Sequence, residues 1–322
     1  MKIVIPDDYQ DAVRSLACFS NVAAHEVTIY RDTVTGVDAL AQRFAQADCL
    51  VLIRERTRVT AELLERLPRL KLIAQTGRTG GHIDLQACTR SGVVVTSGKG
   101  SPNPPAELTW ALILAALRHV PLEERRMREG RWQTTLGTGL KGRTLGIYGY
   151  GNIGALVAKA GVAFGMRVLA FGREGSARRA LADGLDVASS KAQLFGESDV
   201  LTLHLKLTPE TRGIVSGADL ASMQPTALFV NTSRDGLVQK GALAAALKAG
   251  RPGSAAVDVY DIEPVPRDHP LLAMDNVVCT PHLGYVVRDT YELYFGQAFD
   301  QINAFAAGRA VNAVKPEALG KR

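Results

Sequence analysis

The stretch Thr144-Leu-Gly-Ile-Tyr-Gly149-Tyr-Gly151-Asn-Ile-Gly154 decides the fold. Its first half, LGIY, is an apolar run of strand type. Its second half is GxGxxG, and the chain then continues as Ala155-Leu-Val-Ala-Lys-Ala-Gly-Val-Ala-Phe164, a helical pattern. In such a strand–turn–helix, Gly149 makes the tight turn, Gly151 lets the backbone approach a pyrophosphate, and Gly154 allows close strand–helix packing. Tyr150, Asn152 and Ile153 fill the positions between them, and the open amides and dipole of the helix start favour an anion. With 31 glycines in 322 residues, about 0.3 such matches arise by chance, so context decides. The match at Gly137 to Gly142 follows no strand and opens no helix, and is rejected.

Working outward, short β-branched runs alternate with helical patterns. KIVI (2–5), EVTIY (26–30), CLVLI (49–53), LKLIA (70–74) and VVVT (93–96) precede the glycine loop. TLGIY (144–148), MRVLAF (166–171), DVLTLHL (199–205), TALFVN (226–231), SAAVDVY (254–260) and NVVCT (276–280) contain or follow it. Runs this apolar, separated by helices, predict α/β architecture with parallel sheets covered on both faces. GKGSPNPP (98–105) is stiff and turn-like, a hinge between two units. It opens onto an apolar helix over 106–118 with Glu107 in its first turn. Further helices are expected over 240–249 and 288–307.

Composition narrows the class. Apolar residues are 46% and charged residues 22%, average for a globular chain and unlike disorder or collagen. The longest uncharged apolar stretch, Leu108 to Leu117, is half of what spans a bilayer, so no membrane partner is expected. The N-terminus has no secretory pattern, and Cys18, Cys49, Cys88 and Cys279 lie far apart with no CxxC pair. Reduced thiols, no structural metal and a cytoplasmic setting follow. A net charge of +6 with dispersed basic residues favours a small anion over nucleic acid.

After the second strand of the glycine-loop unit, an acid is expected to take the adenosine ribose hydroxyls. Gly172-Arg173-Glu174 stands there, with Arg178 and Arg179 beyond. A guanidinium can bind a 2′-phosphate that an acid would repel, so NADP is favoured over NAD, with Glu174 keeping NAD open.

Three further strands end in polar residues: ValAsnThrSerArg at Arg234, ValAspValTyrAspIleGluPro at Glu263, and CysThrProHisLeuGly at His282. Strand ends converge in an open parallel sheet, giving a carboxylate clamp, a base orienter and a proton donor. The other histidines, His25, His82, His119, His204 and His269, are expected to be structural or peripheral. With GIYGYGNIG, LTPETRGIV, ALFVNTSRDGLV, AVDVYDIEP and DHPLLAMDNVVCTPHLG in this order, the chain resembles the D-isomer-specific 2-hydroxyacid dehydrogenases, which include phosphoglycerate dehydrogenase and glyoxylate/hydroxypyruvate reductase.

The resemblance implies two Rossmann-like or flavodoxin-like domains. A discontinuous substrate domain would take residues 1–104 and 285–322, and an NAD(P)-binding domain residues 105–284. It implies Arg234 on the substrate carboxylate and carbonyl, His282 as acid–base, and Glu263 holding the imidazole, since a carboxylate beside a histidine favours its protonated form. It places Thr232, Ser233 and Asp258, with Gly172 and Arg173, at the cofactor. A loop that usually reads GVGVDxID is here Gly77-Arg-Thr-Gly80-Gly81-His-Ile-Asp84, so the amides of Thr79 and Gly80 are expected at the substrate carboxylate. Asp235 replaces the glycine that usually follows the arginine. LIRERTRVT (52–60) looks most like the phosphoglycerate dehydrogenases, where Arg54 or Arg56 with Arg78 would meet a phosphate, although an NADP-type loop suits glyoxylate or hydroxypyruvate reduction. A homodimer through the helix over 106–118 is expected, with domain closure near Gly98–Pro105 and Gly284. A dinucleotide-sensing corepressor is the alternative of another class.

Overall fold

Strands of two to five residues, five of the twelve described ones buried end to end, can be satisfied only by neighbours on both edges and cover on both faces, and the chain provides both twice. The computed structural model describes residues 1–314, so the expected substrate-domain residues 315–322 lie outside the described residues. Met1–Ser101 with residues 287–314 forms one compact unit, and Pro102–Val286 forms the other.

In the first unit, β1 (Lys2–Ile5), β2 (Glu26–Ile29), β3 (Cys49–Leu52), β4 (Leu72–Gln75) and β5 (Val94–Ser97) form a parallel sheet in the order β2-β1-β3-β4-β5. That is the 2-1-3-4-5 order of flavodoxin-like folds. Helices α1 (Val37–Phe44), α2 (Ala61–Glu65) and α3 (Leu85–Arg90) connect them. Thr60 and Asp84 start α2 and α3 by accepting the Leu63 and Ala87 amides, satisfying donors a helix start would otherwise waste. Phe44, Leu50, Leu52, Leu63 and Ile73 fill one core.

The second unit runs α4 (Asn103–Leu117), α5 (Val120–Arg128), β6 (Thr144–Tyr148), α6 (Asn152–Ala163), β7 (Arg167–Phe171), α7 (Glu174–Ala182), β8 (Asp186–Val187), α8 (Lys191–Glu197), β9 (Val200–Leu203), α9 (Gly217–Ala221), β10 (Leu228–Asn231), α10 (Ala242–Lys248), β11 (Ser254–Val257) and β12 (Val277–Cys279). The strand order is β12-β11-β10-β9-β6-β7-β8, and every pair is parallel. From β8 inward this is the doubly wound 3-2-1-4-5-6 order with one added strand, and its switch point lies between β6 and β9. Side chains alternate between two cores: Leu201 and Phe229 pack with Phe195 and Leu220 on one face, Val200 and Val230 with Trp110, Ile113 and Val157 on the other. The chain returns through α11 (Arg288–Ala306), which buries Tyr291, Phe295, Phe299 and Ile302.

Helix α4 starts at Asn103, earlier than expected, with Pro104 and Pro105 in its first turn. Proline suits that turn because its missing N–H has no intrahelical acceptor there. The stiff connection is therefore shorter than 98–105, and Glu107 sits beyond the first turn. The stretch holding the rejected glycine match is irregular. Among the described residues no helix is long and apolar enough to cross a membrane.

Candidate functional site

The glycine loop lies at the C-terminal end of β6, beside the switch point. Gly149 has φ +101° and a Cβ there would come within 2.7 Å of the His204 carbonyl oxygen, while one on Gly154 would come within 2.5 Å of the Gly149 carbonyl oxygen. Both positions need glycine, one for conformation and one for approach. Gly151 is the N-cap of α6 with no side-chain cap bond, and nothing lies within 4 Å of where its Cβ would be. This open cradle of uncapped amides fits a dinucleotide pyrophosphate.

The neighbours of the loop are specific. Asn152 opens α6 and its Oδ1 accepts from Arg179 Nη1 at 3.1 Å, and Ile153 follows it. The Arg179 guanidinium also lies 5.8 Å from the centre of the Tyr150 ring. The Tyr150 hydroxyl donates to Asp183 at 2.7 Å, and burial with this carboxylate pushes its phenol up to about 12. Gly172 follows β7, and a Cβ on it would be 3.8 Å from the Gly149 Cα. Arg173 is the exposed N-cap of α7, and Glu174 pairs with Arg178 at 3.7 Å.

The acid–base candidates follow three adjacent strands. Arg234 comes after β10, Glu263 after β11 and His282 after β12, and these strands are neighbours in that order. His282 Nδ1 lies 2.7 Å from Glu263 Oε2, and the Tyr260 amide donates to Glu263 Oε1 at 3.0 Å. Each carboxylate oxygen thus has a fixed task, and the ring is held through Nδ1 with Nε2 left for other work. Tyr285 meets the imidazole edge to face at 5.5 Å.

Asp258, assigned to the cofactor from sequence, is fully buried and accepts from the Thr280 hydroxyl at 2.6 Å, the Leu283 amide at 2.7 Å and the Gly284 amide at 2.9 Å. Burial nonetheless pushes its carboxyl above the ordinary range, against those bonds. It straps the segment that carries His282, a residue with φ +54°. This role, like those of Tyr260 and Tyr285, had no sequence signal beyond nearness to a motif.

The arginine segment is similarly shaped. Asn231 donates from Nδ2 to the Arg234 carbonyl at 3.0 Å and accepts the Ser233 amide at 3.1 Å. The Ser233 hydroxyl donates to Leu203 O at 2.7 Å, and the Thr232 and Thr109 hydroxyls meet at 2.8 Å. Asp235 is half-buried, and burial, then Asp261 and Glu263, push its carboxyl up.

The remaining candidates belong to the other unit. Arg54 follows β3 and Arg78, Thr79 and Gly80 follow β4, at the C-terminal edge of the five-stranded sheet. Arg78 is exposed, the Thr79 hydroxyl is enclosed without a hydrogen-bond partner, and a Cβ on Gly80 would lie 2.9 Å from Glu55 Oε1. Among the described residues no group of three or more His, Cys, Asp or Glu side chains could hold a metal ion.

Residues 110–284 match the family described as D-isomer specific 2-hydroxyacid dehydrogenase, NAD binding domain. A glyoxylate reductase of Aeropyrum pernix is 38% identical over 84% of this chain and 84% of its own. A D-3-phosphoglycerate dehydrogenase of Methanocaldococcus jannaschii is 35% identical over 100% of this chain, which spans 62% of that longer protein. Among solved structures, a phosphoglycerate oxidoreductase of Vibrio cholerae is 49% identical with a TM-score of 0.94, covering 96% of this chain and 99% of that one. An oxidoreductase of Ralstonia solanacearum is 54% identical with a TM-score of 0.97, covering 99% and 98%. The chain belongs to the D-isomer specific 2-hydroxyacid dehydrogenase family, NAD(P)-binding oxidoreductases acting on 2-hydroxy acids.

Proposed function

We propose that the chain reduces a small 2-oxo acid to its D-2-hydroxy acid, and runs the reverse oxidation, with His282 as acid–base, Glu263 as its orienter and Arg234 as the anchor of substrate carboxylate and carbonyl. The observation that carries this is the 2.7 Å His282–Glu263 pair at the strand edge that also bears Arg234. When bound, the dinucleotide supplies or accepts the hydride at the substrate C2. Protonated His282 gives its Nε2 proton to the carbonyl oxygen as the C2–O π pair becomes an alcohol, and is left neutral with Nδ1–H still bound to Glu263. Acid–base help of this kind is worth about 10²–10⁴ in rate. The amides of Thr79 and Gly80 serve the substrate carboxylate. D-3-Phosphoglycerate dehydrogenases and glyoxylate reductases both stand among the relatives, and hydroxypyruvate, glyoxylate and phosphohydroxypyruvate form the panel that tests the reading. Reduction of none of them with either cofactor would overturn it.

NADP is the favoured cofactor. Gly172 stands where a ribose-binding acid would be, Arg173 is exposed at the start of α7, and Glu174 is turned to Arg178. Arg173→Ala is expected to lower the NADPH over NADH preference about tenfold, the scale of one charge-assisted contact to a phosphate; an unchanged ratio of kcat/KM values would remove this assignment.

The working form is a homodimer in the cytoplasm. Helix α4 spends its apolar face inside its own unit. What remains exposed comes just after it, at Val120 and Met127 on a helix α5 that buries nothing and at Trp132 and Leu136 in the irregular stretch beyond it, and this segment extends the pairing surface expected of α4. Light scattering at micromolar concentration is expected to give twice the chain mass, and the single-chain mass would refute the dimer.

A further inference from the structure

We propose that Arg54 is a positioning residue for the carboxylate-binding loop, and that it governs every 2-oxo acid equally rather than selecting a phosphorylated one. This rests on the proposed 2-oxo acid reduction. The resemblance places Arg54 or Arg56, with Arg78, at a substrate phosphate, and the contacts of both guanidinium groups include backbone and rings of their own unit.

Arg54 Nη1 lies 3.3 Å from the carbonyl oxygens of both Thr76 and Arg78, two residues of the loop that continues into Thr79 and Gly80. Its own amide donates to Thr76 Oγ1 at 2.9 Å, and that hydroxyl donates to Leu52 O at 2.8 Å. Gln75 Nε2 reaches the carbonyls of Arg54 at 2.9 Å and Thr76 at 3.1 Å, while Gln75 Oε1 meets His82 Nε2 at 2.9 Å. The two strand ends are therefore stitched together by backbone and side chain alike. Arg54 itself has φ +52°, a left-handed conformation that a residue with a Cβ holds where the surroundings enforce it. The guanidinium carbon lies 5.7 Å from the centre of the Tyr294 ring. A Cβ on Gly77, at φ +68°, would come within 2.6 Å of Arg54 Nη1 and 3.2 Å of Tyr294 Cζ. Gly77 is thus the gap through which the arginine reaches the loop.

Arg56 is committed elsewhere: Nη1 donates to the Asp7 carbonyl at 2.6 Å, Nη2 lies 3.4 Å from the Tyr291 hydroxyl, and the group stacks 4.4 Å over Tyr9. The Asp7 carboxylate is in turn held by the hydroxyls of Thr33 and Thr57. Both Arg54 carbonyl contacts come from the terminal Nη1, one bond beyond the reach of a lysine ammonium, so the two residues are not interchangeable here. The enclosed, unpartnered Thr79 hydroxyl marks the place the loop keeps for a ligand.

The test compares wild type, Arg54→Met and Arg54→Lys on glyoxylate, hydroxypyruvate and phosphohydroxypyruvate, with the affinity for reduced cofactor titrated by fluorescence in the same preparations. A loop displaced by a fraction of an ångström is expected to cost about 10- to 100-fold in kcat/KM, mostly in KM. The loss should be similar for all three substrates, unrescued by lysine, with cofactor affinity within about twofold of wild type. Gly77→Ala should reproduce the same pattern. A loss confined to phosphohydroxypyruvate, or rescued by lysine, would overturn the proposal. Wild type inert toward all three would instead bring down the functional reading on which it stands.

Discussion

His282 sits at φ +54°, a region where a side chain larger than glycine is held only by its surroundings. The buried Asp258 carboxylate supplies that hold by taking the next two amides and the Thr280 hydroxyl. Asp258→Asn keeps the shape but replaces one acceptor with a donor facing a backbone N–H. Charged hydrogen bonds of this kind contribute about 1.5–3 kcal/mol, so turnover is expected to fall about 10- to 100-fold even with substrate saturating. Wild-type turnover in that variant would show that the Asp258 strap does not set the position of His282. Arg234, Glu263 and His282 were legible in sequence because each closes an apolar strand run. Asp258 lies on such a run too, but its partners are 22 to 26 residues away, and spacing carries no record of where a carboxylate turns. The same holds for Arg54, whose guanidinium bends back onto backbone.

At the scale of elements, β6, the glycine loop and α6 were readable because sterics leave few alternatives at Gly149 and Gly154. The two-residue β8 was not, since a run that short has no period, and the start of α4 was obscured by prolines that a first turn accepts. His204, just beyond β9, contributes an element-level consequence. Its carbonyl abuts Gly149, its ring meets Thr202 Oγ1 at 3.1 Å, and burial pushes it down from 6.5 to about 4. The folded chain therefore resists a proton that the unfolded chain accepts. This stability is complete above pH 6.5 and is lost as pH falls towards 4. After allowance for partial exposure the loss is about 2 kcal/mol. Denaturant melts at pH 7 and pH 4.5 should show His204→Asn losing less on acidification than wild type, and parallel losses would refute the role.

At the scale of the whole chain, parallel sheets were implied by the alternation of strand and helix, while the strand orders were not, because right-handed crossovers limit the topologies without choosing one. The outward-facing segment with Trp132 and Leu136 was not foreseen, because exposure follows from what packs nearby rather than from the residues themselves. The proposed activity converges on one proton passed by His282. The most direct test follows the consumption of reduced nicotinamide with hydroxypyruvate by wild type and His282→Gln, beside cofactor binding by fluorescence titration. Turnover is expected to fall by about 10²–10⁴ while cofactor affinity stays within about twofold. Wild-type turnover without the imidazole would contradict the account.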